Sequence, residues 1–144
     1  MILGINPYLV LNGDGQEAVK FYENALDAKV VSVAAFGDMP ANPEFPIPEE
    51  AKNRIMHAHL KINNTDLMIS DTFPGQPKET AGSQVSIAVS IENVEKSKEV
   101  FEKLQDGGHI IMPLQETFWS PSYGQLTDKF GITWQVTTNT AENR

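Results

Sequence analysis

Apolar and polar residues alternate in several short stretches of this chain and recur every three to four residues in two others. These are the periods of strands and helices respectively. Ile5 to Leu11 is apolar, β-prone and interrupted by Pro7, which predicts a strand lacking one amide donor. Asn12-Gly13-Asp14-Gly15 is a turn, and Asp14 followed by Glu17 has the spacing of an acidic helix cap. Ala18, Phe21, Tyr22, Ala25 and Leu26 then recur at helical spacing, predicting about three helical turns. Lys29 to Phe36 reads as a second strand. Residues 37–53 differ in kind: Pro40, Pro43, Pro46 and Pro48 stand among four acidic residues with little periodicity. That predicts a long loop, a surface insertion in preference to a mobile lid.

Arg54 to Ile62 is a third strand, with Met56, Ala58, Leu60 and Ile62 on one face and Ile55, His57, His59 and Lys61 on the other. Asn63-Asn64 suits a two-residue hairpin leading into a fourth strand, Thr65 to Ser70. Thr72 to Ser83 is rich in Pro and Gly and reads as a linker. After it the order restarts. Gln84 to Ile91 alternates, Asn93 to Gln105 carries a stripe of Val94, Phe101 and Leu104 with Val100 at its edge, and Gly107-Gly108 stops that helix. His109 to Leu114 is the next strand. A hairpin turning at Asp128-Lys129-Phe130-Gly131 follows, and residues 141–144 read as a frayed tail. The two halves each read β-α-β-β-β at an offset of roughly 79 residues, which pairs Tyr22 with Phe101 and Tyr8 with Ile87. The fold class is therefore α+β, with a helix on one face of each sheet.

The opposite faces are where a site belongs. In the terminal hairpin Ile132, Trp134 and Val136 share the apolar face and Thr133, Gln135 and Thr137 the polar one. Ser86 and Ala88 take the polar face of the fifth strand. The repeat offset puts Tyr8 and Val10 under the first helix and Pro7 and Leu9 opposite. The expected cup is lined by Pro7, Leu9, His57, His59, Ser86 and Gln135. Trp119 and Tyr123 stand near enough in sequence to wall a small-molecule pocket there. His57 and His59, two apart on a strand, point the same way as metal ligands must, but two imidazoles without a carboxylate are an incomplete site. His109 reads as surface, and Asp71 as a turn residue.

Composition narrows the function without naming it. The chain has 144 residues, 40% hydrophobic and 21% charged, enough for one domain with its own core. The absence of cysteine removes disulfides, thiolate nucleophiles and Cys-type zinc sites. A net charge of −8 with no basic cluster argues against nucleic acid as a partner. The residues show no leader pattern and no apolar run long enough to span a membrane, so a cytoplasmic protein is expected. No phosphate loop, catalytic triad signature or zinc-protease motif is present.

Taken in order, Pro7-Tyr8-Leu9, Ala18-Val19-Lys20-Phe21-Tyr22, His57, Met68-Ile69-Ser70-Asp71 and the run from Asp128 to Gln135 resemble the vicinal oxygen chelate superfamily. That superfamily embraces glyoxalase, bleomycin resistance and dioxygenase proteins, and the resemblance is closest to its PhnB-like branch, also labelled demethylubiquinone-methyltransferase-like. It implies a single glyoxalase-like domain over 1–144: module one at about 1–71, linker 72–83 and module two at about 84–138. The modules would form a curved, barrel-like mixed sheet around a central cup, and the chain would form a homodimer.

The resemblance also implies a divalent metal held from the first and last strands of each module. Carried over by position, those sites fall on Pro7, the region of Met68 to Ser70, Ser86 and Gln135. His57 and Gln135 are the weak metal candidates. The expectation is a small-molecule binding protein that works without the metal. The alternative is a divalent-metal-dependent lyase, isomerase or transferase acting on vicinal oxygens. The expected ligand pocket comprises His57, His59, Ser86, Trp119, Tyr123 and Gln135.

Overall fold

The structure, a computed structural model, describes residues 1–73, 75–79, 82 and 84–140. The chain divides into two compact units, Met1–Thr80 and Ala81–Arg144. Each contains a four-stranded mixed sheet and one long helix. Among the described residues no helix is long and apolar enough to cross a membrane.

In the first unit the strands β1 (Tyr8–Leu11), β2 (Lys29–Ala35), β3 (Ile55–Ile62) and β4 (Thr65–Asp71) assemble in the order β1-β4-β3-β2, and α1 (Gly15–Leu26) packs on β3 and β4. β1 runs parallel to β4, as a strand reached through a helical crossover does, and the other pairs are antiparallel. Ala18, Val19, Tyr22, Ala25 and Leu26 are buried on the inner face of α1. Val19 therefore joins the expected stripe. Phe21 is only partly buried and meets the Tyr22 ring edge-on at 5.4 Å.

The first strand is shorter than expected and its faces are reversed. Leu9 and Leu11 are buried under the helix side, whereas Tyr8 is 46% and Val10 41% exposed. All four are apolar or aromatic, so alternation alone carries no information about which pair points inward; the parallel register with β4, Leu9 beside Ile69, decides it. A second departure is local to β3. The pairing slips between Ala34/His57 and Ala35/Ile55, and this irregularity leaves Ile55 and Ala58 both fully buried instead of on opposite faces.

The cap of α1 also differs from its expected form. Asp14 occupies the N-cap position without a side-chain capping bond. Asp71, at the far end of β4, does that work instead. Its Oδ1 accepts from the Gly13 and Gly15 amides at 2.8 and 3.0 Å, and its Oδ2 accepts from the Ile55 amide at 2.7 Å. A Cβ on Gly15 would lie 2.6 Å from Asp71 Oδ2 and 2.8 Å from Ile55 Cγ1, so only glycine admits the carboxylate this close. Asp71 is thus a structural residue that joins a strand end to a helix start.

The proline-rich stretch is closed at its base by Phe36 N donating to Arg54 O and Gly37 N donating to Lys52 O. The early part of the 72–83 stretch is likewise fastened down. Thr72 N donates to Leu11 O, and the Asn12 carboxamide bonds both the amide and the carbonyl of Glu79. Pro74, Thr80, Ala81 and Ser83 of that stretch, and the 141–144 tail, lie outside the described residues.

The second unit repeats the plan with β5 (Ile87–Ile91), β6 (His109–Gln115), β7 (Tyr123–Thr127) and β8 (Thr133–Thr138) in the order β5-β8-β7-β6, and α2 (Val94–Gln105) against the sheet. β5 begins three residues later than alternation suggested, and Val85 is exposed. Asn93 caps α2 by accepting from Lys96 N at 2.8 Å. Phe101 and Leu104 are buried as the helical spacing predicts, Val100 is buried with them instead of lying at the edge, and Val94 is only partly buried; Ser97 is buried too, its hydroxyl bonded to that of Thr138.

The helices superpose in sequence at an offset of 79, Gly15 with Val94. The first strands, β1 and β5, do so at 78, since Leu9 and Ile87 each pair with the inward residue of the parallel neighbour, Ile69 and Trp134. One residue more separates strand from helix in the second unit, which is why the single offset placed Tyr8 on the wrong face.

Candidate functional site

The polar face of the second unit's sheet is built by strict alternation. In β8, Trp134, Val136 and Thr138 are buried, and Thr133, Gln135 and Thr137 turn to the other side and are half-buried. Gln125 on β7 lies directly across from Gln135, and Ala88 on β5 flanks it on the opposite side. Side chains at these positions join into a chain of hydrogen bonds. Gln125 Nε2 donates to Tyr123 Oη at 2.8 Å, Tyr123 Oη donates to Gln135 Oε1 at 2.7 Å, and Gln135 Nε2 donates to Ser86 Oγ at 2.8 Å. The Trp119 ring meets Tyr123 edge-on with centroids 5.2 Å apart and is itself 50% exposed; Phe118, 98% exposed, packs against it at 4.8 Å. The result is a band of neutral hydroxyls and carboxamides with aromatic rings packed against its tyrosine.

The hairpin that carries Gln135 is fixed by Asp128, whose carboxylate is buried. Its Oδ1 accepts from the Phe130 and Ile132 amides at 2.9 and 3.0 Å, and its Oδ2 from Trp134 Nε1 at 2.8 Å. Gly131, with φ of 88°, supplies the left-handed step that closes the turn.

Of the expected pocket residues, Ser86, Tyr123 and Gln135 share this network and Trp119 adjoins it. His57 and His59 belong to the first unit, on the face of its sheet opposite the helix, and each has its own partner. The Tyr8 hydroxyl and His57 Nδ1 are 3.2 Å apart, and His59 Nε2 is 2.7 Å from Asp66 Oδ1, which Lys61 also approaches at 3.3 Å. The hydrogen bond from His59, with Lys61 nearby, holds the Asp66 carboxyl below its ordinary value of 3.8. A carboxyl lowered in this way stabilises the fold above its unfolded pKa, and the contribution disappears as pH falls through the lowered value. A carbon-detected NMR titration is expected to show Asp66 titrating more acidic than a free carboxylate in the wild type and moving back up in His59→Ala. An unchanged midpoint in that variant would contradict the assignment. His109 is exposed at the start of β6.

Sequence reasoning passed over two members of these faces. Gln125 was legible, being two residues from Tyr123 on an alternating strand. Tyr8 was hidden by the reversed register of β1.

The donor chemistry does not suit a divalent metal. With the register corrected, the position paired with Ser86 in the repeat is Tyr8, not Pro7, and the one paired with Gln135 is Ser70. Taken unit by unit, a phenol with an aliphatic hydroxyl, and an aliphatic hydroxyl with a carboxamide, offer no anion and no imidazole of their own to a divalent cation. The amide oxygen among them already accepts from Tyr123. Within either unit, no three His, Cys, Asp or Glu side chains of the described residues gather in a way that could hold an ion. Elsewhere the proline-rich loop encloses a cavity of about 400 Å³ lined by Phe36, Met39, Pro43, Phe45, Ile47 and Lys52 among others, with Lys52 ion-paired to Glu49 at 2.7 Å.

Comparisons with known proteins agree with this architecture. Residues 4–136 match the model of the Glyoxalase/Bleomycin resistance protein/Dioxygenase superfamily. Protein YjdN of Escherichia coli is 31% identical over 141 residues, 92% of each chain. The crystal structure of protein PA1353 from Pseudomonas aeruginosa is 35% identical with a TM-score of 0.84, covering 96% of this chain and 99% of that one. A putative 3-demethylubiquinone-9 3-methyltransferase, PhnB protein, from Bacillus cereus is 28% identical with a TM-score of 0.75, covering 94% and 98%. The chain belongs to the glyoxalase/bleomycin resistance protein/dioxygenase superfamily, with PhnB-like proteins among its structural neighbours.

Proposed function

We propose that this protein binds a small molecule over the polar sheet face of its second unit and does so without a divalent metal. One observation carries the reading: Gln135, the residue at an expected metal-ligand position, has its amide oxygen and its amide nitrogen engaged by Tyr123 and Ser86. A carboxamide held in this way presents a fixed pattern of donors and acceptors to a ligand. Half-exposed Trp119, packed against the Tyr123 ring, supplies an apolar wall, the combination small-molecule sites use. The names of the relatives do not decide the chemistry, because one fold hosts many activities.

Two measurements on one preparation test this. Protein purified without chelator is expected to carry no stoichiometric divalent ion. A thermal-shift screen of uncharged small molecules is expected to yield a ligand whose effect is lost in Gln135→Ala. At a ligand concentration a hundredfold above Kd the stabilisation amounts to roughly 2.7 kcal/mol, several degrees in Tm. One ion per chain, lost on Gln135→Ala or His57→Ala, would replace this reading with a metal-dependent one.

A further inference from the structure

We propose that the proline-rich stretch between β2 and β3 is itself a binding site, one that takes an uncharged, largely apolar molecule of two or three rings. The site lies wholly within the first unit, so it stands apart from the polar face of the second.

The sequence builds a stiff frame here. Asn42-Pro43-Glu44-Phe45 is a turn: the Phe45 amide donates to Asn42 O at 3.0 Å, and the Asn42 side-chain oxygen accepts from the Glu44 amide at 3.0 Å. Asparagine in first place and proline in second are the residues such a turn favours. Pro40, Pro43 and Pro46 all line the cavity, and each has a fixed φ and no amide hydrogen. That backbone cannot coil into a helix or pair as a strand to fill the space. Phe36, buried at the base, meets the Phe73 ring edge-on at 5.4 Å.

The space so enclosed is about 400 Å³. Ligand sites run from roughly 300 to 1,000 Å³. An apolar cavity of roughly 150 Å³ already stays dry and takes up one benzene, which sets the size of occupant at two or three rings. Phe45 lines the cavity and yet is 60% exposed, apolar area that an occupant removes from water.

The wall decides the chemistry of the occupant. Its two polar side chains are engaged within the loop, Asn42 with the Glu44 amide and Lys52 with Glu49 at 2.7 Å. Along 37–53 the carboxylates of Asp38, Glu44, Glu49 and Glu50 outnumber the Lys52 ammonium, which disfavours an anion. None of the described residues lining the cavity is a carboxylate, which leaves a buried cation without a partner. An uncharged molecule meets neither cost.

Two fluorescent probes that differ by one charge test the site in the intact protein. Phenylnaphthylamine is uncharged and brightens in apolar surroundings; anilinonaphthalenesulfonate carries the same rings and an anion. Phenylnaphthylamine is expected to bind and to shift the amide resonances of Phe36, Gly37, Met39, Phe45 and Ile47. The sulfonate is expected to bind at least about tenfold more weakly. Met39→Trp fills the cavity and is expected to weaken the uncharged probe by at least about tenfold. Phe45→Ser, at an exposed position that the fold tolerates, is expected to weaken it in the same direction. Equal or tighter binding of the sulfonate would overturn the uncharged class. No binding, resonance shifts at Trp119 and Tyr123 in place of the loop, or an affinity unaltered in both variants would overturn the site.

Discussion

Asp71→Ala is expected to lower the stability of the first unit by roughly 3–5 kcal/mol, at the upper end for a single substitution. The size follows from what is stranded. Three backbone amides, those of Gly13, Gly15 and Ile55, have the Asp71 carboxylate as partner. Hydrogen bonds to a charged group contribute about 1.5–3 kcal/mol each, and a buried donor left without a partner costs about 1–3 kcal/mol. Alanine also removes the negative charge from the start of α1, where the helix dipole favours it.

Asp71→Asn recovers only part of the loss, because one oxygen is exchanged for an NH2 that faces an amide donor. Urea unfolding followed by NMR at individual residues of the first unit is the suitable measurement, since a chain of two compact units need not unfold in one step. A midpoint shift above about 1 M is expected for Asp71→Ala. A shift near zero, or full recovery in Asp71→Asn, would show that the carboxylate is not what joins β4 to α1.

For Asp128→Asn the expected loss is about 2–3 kcal/mol, concentrated in the hairpin that carries Gln135. The carboxylate serves donors on both sides, the Phe130 and Ile132 amides and the indole Nε1 of buried Trp134. An asparagine can accept on one side alone; on the other its NH2 meets an N–H. The chain has two tryptophans, so a Trp119→Phe background isolates Trp134. There the indole N–H resonance is expected to move upfield and the urea midpoint to fall. If stability stays within about 0.5 kcal/mol of the parent, Asp128 is a surface turn residue and the hairpin is held by its backbone alone.

These two carboxylates mark where the sequence stopped being legible. Asp14 has the textual form of a helix cap and Asp71 that of a turn residue, yet Asp71 does the capping across a separation of 56 residues. A local pattern cannot report such a contact, because a carboxylate at a strand end looks the same whether its acceptors face water or another element. Asp128 was legible as the first residue of a hairpin turn. Its bond to the indole needed the register that brings Trp134 back over the turn.

The site shows the same division. Gln135, Tyr123 and Gln125 share a face because side chains alternate along a strand, and that much follows from spacing. That Ser86 completes the line depends on β5 lying beside β8 in one particular register.

From its amino-acid order alone this chain determined two β-α-β-β-β halves, a helix on one face of each sheet, and a polar row around Gln135 opposite Trp134 and Val136. Those properties arise from periods of two and 3.6 residues, which act over a few neighbours and survive any tertiary arrangement. Tertiary structure alone decided that Leu9 and Leu11, not Tyr8 and Val10, enter the core. A strand apolar on both faces has no preference of its own, so the parallel pairing with β4 fixed it. That same pairing moved Tyr8 to the side of His57.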